Sequence, residues 1–509
     1  MTPIDALYHQ ATHHPRQTAF IAGDEVWTYH RLAHEAERLA QALIARGLRP
    51  GDRVALHMVN RPELVVAYYA CFRIGVIAAP LNARFKTAEL RPLLQRLRPS
   101  LYLGEAQLYR QITPIEPAIV GSGARFIADG AAEDDRAQPW ADLIDCAGGT
   151  STLPDPDDSA PAVLLGTSGT TGLAKFVIHT PATLSAKTDS CMRMGFETPQ
   201  TTVNAVPMMH GSGLMTMLAS MRYGAPMVLF ERFDADAVLD AIEPRRCSWM
   251  LGLPFMFIEL LDRQRRQARN VDTLRFCLSA GDVCPIGVQR EFAALFGVPL
   301  RSVWASTEAT GSLIHGLEPG PVSRITPGAD IRIVDDNGAP VPRGEVGELL
   351  VRGPNVTVGY WVAEGRIDPA TADGWFHTGD LMRRGKADDL WFVGRKKDLI
   401  IRGGSNISPV EVERVLMAHP GVRNAVVVGV PDATLGQRVA ALVQLREKPR
   451  DAVLRDILAS TRAQLADYKM PERLKVVDEI PRNILGKIDR RSAVSILLDD
   501  EADEAVAAE

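Results

Sequence analysis

Cysteine is scarce and scattered in this chain. Six occur in 509 residues (Cys71, Cys146, Cys191, Cys247, Cys277 and Cys284), and no two form a C-x-x-C pair. Neither a zinc site nor a disulfide framework is predicted, and a reduced, cytoplasmic setting is expected. No apolar run approaches the ~18 residues that a membrane span needs. The N-terminus MTPIDALYHQ lacks the basic-then-apolar pattern of a signal peptide. No integral membrane segment is therefore expected. An excess of positive charge is also missing. Net charge is −5, and residues 499–509 (DDEADEAVAAE) carry six acids and no base, so the rest of the chain stands at +1. Nucleic acid is not an expected partner of so neutral a body. The tail reads as a solvated, disordered end. What remains is ordinary globular composition, 46% hydrophobic and 23% charged, at a length that favours more than one domain.

Against this plain background one stretch stands out. Residues 164–175 read Leu-Leu-Gly-Thr-Ser-Gly-Thr-Thr-Gly-Leu-Ala-Lys. Glycines let the backbone turn tightly and approach a ligand. Hydroxyls and N–H groups in such a turn form a concave donor surface for phosphate oxygens. Lys175 adds positive charge at the rim. Alone, this composition describes an ordinary polar connection equally well. It is not the Gly-x4-Gly-Lys-Ser/Thr loop of P-loop enzymes, because Leu173 and Ala174 separate Gly172 from Lys175 and Phe176 follows.

Around that run the patterns alternate. Residues 29–46 and 61–74 have helical spacing, while 53–58 and 76–81 read as buried strands. Such alternation predicts α/β layering. Further strands are expected at 176–179, 202–207, 249–253, 274–279 and 300–304, with helices at 183–194 and 234–243. Several of these strands end in small or polar residues: Met208-Met209-His210-Gly211-Ser212-Gly213, Ala280-Gly281-Asp282 and Ala305-Ser306-Thr307-Glu308. Strand ends of that kind build ligand sites in open α/β sheets, so one composite site is expected. Short strands and tight turns over 324–394 predict a β-rich subdomain. Residues 396–498 form a compact pattern of two helices and three strands. The predicted organisation is a large N-terminal domain of layered α/β subdomains plus a β-rich subdomain (1–395), a small mobile α+β C-terminal domain (396–498), and the acidic tail (499–509).

Five motifs now fall in a recognisable order: the run 167–175, Ser306-Thr307-Glu308, Thr378-Gly379-Asp380, Gly394-Arg395-Lys396-Lys397-Asp398, and Pro481-Arg-Asn-Ile-Leu-Gly-Lys487. Together they resemble the adenylate-forming superfamily of acyl- and aryl-CoA synthetases, luciferases and peptide-synthetase adenylation domains. The resemblance covers nearly the whole chain. It implies ATP, Mg²⁺ and CoA, and a reaction in two halves: a carboxylate attacks the α-phosphorus of ATP, and a thiol then displaces AMP.

The resemblance also implies roles. Thr167, Ser168, Gly169, Thr170, Thr171, Gly172 and Lys175 would cradle the triphosphate. Glu308 would hold Mg²⁺ beside the Thr167 hydroxyl. Ala280, Gly281, Asp282, Trp304, Ala305, Ser306 and Thr307 would line the adenine side, with the Trp304 ring near the base; an ordinary core place for that ring is the rival reading. Asp380 would take the ribose hydroxyls, helped by Arg395. Lys487 would be the adenylation catalyst and Lys397 the hinge on which the small domain swings. His210, Gly211, Ser212, Gly281 and Ala309 would meet the acid. Gly403 and Gly404 would line the way for the pantetheine arm, and Arg84 would meet a CoA phosphate. Two residues depart from the family pattern: Ala174 stands where proline is usual, and Ala305 where glycine is usual.

The acid itself is less legible. Stretches 206–214, 279–283 and 304–311 are mainly small, apolar or Met, and none contains arginine. A fatty or similar hydrophobic acid is the expected substrate, with an aromatic acid as the alternative. A carrier-protein thiol in place of CoA would use the same residues, and a non-catalytic nucleotide-binding protein is the remaining rival. The oligomeric state is left open.

Overall fold

The protein is described by a computed structural model covering residues 1–506, apart from 117–118, 120–124, 128–136, 146–151, 168–174, 197, 310–312, 315–321, 323, 326–327, 364, 372, 387–388, 433, 448–450 and 484–485. Two large sheets form the body. One has seven strands, and its last five form a run of parallel neighbours: Met227–Leu229, Thr202–Asn204, Trp249–Gly252, Phe276–Ser279 and Leu300–Ser302. The other has nine strands, with Ile77–Pro80, Arg53–His57 and Leu101–Gly104 parallel at its centre. In that sheet Val163–Thr167 turns back antiparallel as Lys175–His179.

Helix Pro62–Ile74 shows why the two sheets belong to one body. Proline opens it, and every residue from Leu64 to Phe72 is buried. A helix that is apolar all round must be surrounded. This one shares a continuous core with helix Tyr29–Ala45 and with strands of both sheets. A four-stranded antiparallel sheet follows: Asp330–Val334, Val346–Arg352, Phe376–Arg384 and Leu390–Arg395. It carries a separate core that includes Trp304.

The chain then passes a single 3-10 turn, Lys396–Asp398, into a five-stranded sheet. Strand Val422–Asp432 is apolar on both faces. Ala425 and Val427 pack with helices Pro409–Ala418 and Asp451–Arg462. Val426, Val428 and Val430 pack with helix Arg490–Val506 on the other side. Successive residues of a strand face opposite ways, so a double-faced sheet needs such a continuous run.

The mixed α/β architecture with a large N-terminal and a small C-terminal domain is as the sequence predicts. Local features differ: the small domain adds the hairpin Ile400–Arg402 and Ser405–Ile407 and the helix Arg490–Val506 to the two helices and three strands expected. Residues 211–213, read as a loop, open the helix Gly211–Arg222. Helix Arg490–Val506 runs through the expected break at 499 instead of ending in a disordered tail. The tail is rich in Ala and Glu, both strong helix formers.

Candidate active site

Four parallel strands end side by side at residues 204, 252, 279 and 302, and the segments after them gather at one edge. After Phe276–Ser279 comes Ala280, buried, whose N–H donates to the Gly252 carbonyl (3.0 Å). After Leu300–Ser302 come Trp304, Ala305, Ser306, Thr307 and Glu308. The Ser306 hydroxyl accepts from the Ala309 N–H (3.0 Å) and fixes this turn. Ala309 itself is fully buried.

Glu308 is held from two sides. Its carbonyl accepts from the Thr357 N–H (2.7 Å). Its carboxylate accepts from the Tyr360 hydroxyl (3.2 Å). Burial, followed by the Glu308 charge, pushes the Tyr360 phenol far above its usual range, so it stays a donor. The ammonium of Lys175 lies 4.8 Å from the centre of the Tyr360 ring, a cation–π distance. No cation is ion-paired to Glu308 among the described residues. An unneutralised hard carboxylate fits a divalent ion such as Mg²⁺.

Thr167 pairs in register with Lys175, and its hydroxyl donates to the Lys175 carbonyl (3.4 Å). Both ends of the glycine run are thereby fixed. Ser168, Gly169, Thr170, Thr171 and Gly172 lie outside the described residues.

Asp380 and Arg395 face each other across paired strands. The Arg395 Nε is 3.2 Å from one Asp380 oxygen. The indole N–H of Trp304 donates to the other at 2.8 Å. Trp304 is only 7% exposed and belongs to the core of the β-rich subdomain. Its ring packs in that core, and its N–H orients Asp380. Burial raises the Asp380 carboxyl above its usual value, against the pull of Arg395 and Trp304.

Lys487 comes from the C-terminal domain into this edge. Its Cε stands 3.6 Å from where a side chain on Gly281 would begin. Asp282, Asp380 and Glu308 lie around it and favour its charged form. Burial and then the Arg395 charge outweigh them and lower the ammonium below its usual value. The Lys487 loop is braced by Asn483, which accepts from the Lys487 N–H (3.1 Å) and donates its own N–H to the Lys487 carbonyl (2.8 Å). It is seated by the Ile488 N–H on an Asp282 oxygen (3.3 Å). Gly486 (φ +75°) packs on Phe255, where a Cβ would come within 2.5 Å of the ring.

His210 precedes the helix Gly211–Arg222 as its cap residue, and its side chain accepts no hydrogen bond from the first-turn N–H groups. Burial, then the charges of Lys487 and Arg84, depress its imidazole to about 4, so it is neutral at pH 7. Arg84, expected at CoA, thus also reaches the acid side by its charge. Ser212 accepts from the Thr216 hydroxyl through its carbonyl (3.0 Å). Lys397 is exposed in the turn between the domains. Gly403 (φ +54°) and Gly404 (φ +82°) form the tight turn of the hairpin Ile400–Arg402 and Ser405–Ile407, and Gly403 donates to the Leu435 carbonyl (2.8 Å) within the small domain.

Three residues here escaped the sequence reading. Tyr360 lies 52 residues from the carboxylate it holds, and nothing local marks it. His179 and Lys187 both donate to the Thr307 carbonyl, at 2.9 and 3.3 Å. Lys187 had a signal: it stands at a buried position of helix Pro181–Cys191, one turn after Leu184 and one before Cys191.

Known proteins share this fold and sequence pattern. The AMP-binding enzyme family matches residues 7–361, and the AMP-binding enzyme C-terminal domain matches 411–487. The medium-chain fatty-acid–CoA ligase of Escherichia coli is 33% identical over 91% of this chain and 84% of its own length. The indoleacetate–CoA ligase of Aromatoleum aromaticum is 32% identical over 93% and 94%. The crystal structure of ATP-bound MatB from Rhodopseudomonas palustris superposes with a TM-score of 0.84 at 27% identity, covering 97% of this chain and 99% of that one. The apo form of the same protein superposes with a TM-score of 0.75. The chain belongs to the adenylate-forming superfamily, in its acyl-CoA synthetase branch of AMP-forming acid–thiol ligases.

Proposed function

We propose that this chain is an ATP-dependent ligase that joins a hydrophobic carboxylic acid to CoA. The observation that carries this reading is the seating of Lys487 against Gly281, facing the Asp380 and Glu308 side of the site. In the first half-reaction an oxygen of the acid attacks the α-phosphorus, a new P–O bond forms, and pyrophosphate leaves. Two anions must meet, so fixed positive charge is required. Lys487 bridges the acid carboxylate and the α-phosphate. Lys175 and the run 167–172 hold the outer phosphates. Asp380, with Arg395, receives the ribose. Glu308, with Thr167, would hold Mg²⁺, which would supply charge neutralisation on the phosphates. Ala280, Gly281, Asp282 and Ala305 to Thr307 form the adenine side by their backbone.

In the second half-reaction the CoA thiol loses its proton and attacks the acyl carbonyl, and AMP leaves. Lys487 must first withdraw, and the turn 396–398, with Lys397 exposed at its centre, is where the backbone rotates. The glycine turn 403–404 and Arg84 then serve the CoA arm. The acid lies along His210, Gly211, Ser212, Gly281 and Ala309. This chemistry needs cytoplasmic ATP and CoA.

An acid-dependent pyrophosphate-release screen over alkyl and aryl carboxylates, with and without CoA, tests the reading. Release with hydrophobic acids, followed by CoA-dependent AMP formation, is expected. Silence with every acid would leave only nucleotide binding.

A further inference from the structure

Two charged side chains at the phosphate end of the site meet the same neutral neighbour. Among the described residues, the Glu308 carboxylate accepts a single hydrogen bond, from the Tyr360 hydroxyl (3.2 Å). The Lys175 ammonium has a single side-chain contact among them, with the same Tyr360 ring (4.8 Å to its centre). A hydroxyl donating to a carboxylate makes a charge-assisted bond that fixes the carboxylate's direction. A ring face attracts a cation. One side chain thus holds a carboxylate by its tip and an ammonium by its ring.

Strand register puts Tyr360 there. Strand Gly359–Ala363 runs antiparallel to Lys175–His179, with Tyr360 opposite Val177 and Trp361 opposite Phe176. Lys175 is in turn opposite Thr167. Residues opposite each other, and residues two apart along a strand, share a face of the sheet. Tyr360, Lys175 and Thr167 therefore stand on one face, while Trp361 and Phe176 pack in a core on the other. Thr357, just before this strand, fastens the segment on two sides. Its hydroxyl donates to the Ile178 carbonyl, and its N–H donates to the Glu308 carbonyl (2.7 Å). The backbone leading to Tyr360 is thus tied both to the strand that begins at Lys175 and to the segment that carries Glu308.

We propose that Tyr360 is a positioning residue for adenylation: its hydroxyl aims the Glu308 carboxylate and its ring holds Lys175, so that the metal ligand and the phosphate cation are set as one unit. This rests on the ligase reading. The outer phosphates are present only until pyrophosphate leaves, so Tyr360 serves the first half-reaction and is idle in the second. The two contacts use different parts of the side chain, and substitution separates them. Tyr360→Phe removes the bond to Glu308 and keeps the ring beside Lys175. Tyr360→Leu removes both.

The test titrates ATP and AMP into the full chain by calorimetry, without acid, over a range of Mg²⁺ concentrations. AMP lacks the outer phosphates and is the internal control. In Tyr360→Phe the Mg²⁺ needed for half-maximal ATP affinity is expected to rise about ten-fold or more, while AMP and Mg²⁺-free ATP bind as in the wild type. Tyr360→Leu is expected to weaken Mg²⁺-free ATP by about three-fold as well. In both variants CoA transfer from a supplied acyl-adenylate should keep its rate. A Mg²⁺ dependence unchanged in Tyr360→Phe overturns the assignment, and so does wild-type ATP binding that ignores Mg²⁺. Equal weakening of ATP and AMP, or CoA transfer lost together with adenylation, overturns it too and would leave Tyr360 as a structural residue only. If Tyr360→Leu fails to fold, Tyr360→Phe, which keeps the ring, carries the test. Absence of pyrophosphate release with every acid overturns the ligase reading separately, because nucleotide binding is measured without turnover.

Discussion

The two sides of the site are held in different ways. On the N-terminal side the groups are fixed by short contacts inside one body. Trp304 and Arg395 grip Asp380, Tyr360 and Thr357 grip Glu308, and His179 and Lys187 grip Thr307. On the C-terminal side Lys487 arrives on a loop seated by one backbone bond to Asp282 and by Phe255. The ion pairs that support this docking, Arg423 with Asp262 and Arg446 with Glu291, are about a third exposed on both partners. Exposed pairs contribute about 0–1 kcal/mol. One side is held by short contacts within its own body, and the other by partly exposed ones across the domain boundary.

The largest expected effect tests whether the departing side carries the decisive charge. Lys487→Ala should slow pyrophosphate release about 10²–10³-fold while largely sparing CoA transfer from a supplied acyl-adenylate. Full adenylation in that variant would erase the contrast. Acid should strain the fixed side. His57 is fully buried, and burial holds its imidazole at about 4; the unfolded value is about 6.5. Below pH 6.5 the unfolded state therefore binds more protons, and stability falls as pH drops from 6.5 to 4, by up to about 3 kcal/mol for this residue. Urea midpoints against pH should show that slope, and His57→Gln should remove the His57 share of it, leaving the part due to the buried His179 and His210.

Trp304→Phe keeps the ring and removes the N–H that orients Asp380. A loss of about 1–3 kcal/mol, read by denaturant unfolding, should accompany a raised KM for ATP, and both half-reactions should suffer alike. Unequal loss would mean that this wall also moves. Lys397→Pro should do the reverse, slowing thioester formation about ten-fold more than adenylation. The smallest effect is Asp262→Asn. It should shift the balance of the two half-reactions by about five-fold at most, and the shift should vanish in high salt.

This division also explains what could be read from the sequence. The glycine run, Asp380, Glu308 and Lys487 sit in short motifs whose chemistry is local. The grips on them are not local. Asp380 meets Trp304 from 76 residues away, and His179 meets Thr307 from 128. The helix Gly211–Arg222 was obscured by its own start, because Gly211 and Gly213 are poor helix formers. Gly213 is required there by packing, since a side chain would strike the Val206 and Pro207 carbonyls. Lys187, a charge on a buried helical face, escaped the reading because only the fold shows that it meets the Thr307 carbonyl. The turn at 396–398 falls in the motif expected to be the hinge, whereas the weakness of the ion pairs around Lys487 depends on exposure.

The contact of Gly486 with Phe255 acts as a gauge of how far the small domain advances. Ordinary carbon contacts lie near 3.5–4 Å, and a Cβ here would stand at 2.5 Å. A side chain at 486 would force either the Phe255 ring or the Lys487 loop to give way by about an ångström, and where the loop yields, a misplacement of that size can cost about 10²-fold in rate. The depth at which Lys487 sits in the site thus depends on a missing methyl group, and the clearance at that point is smaller than one carbon atom.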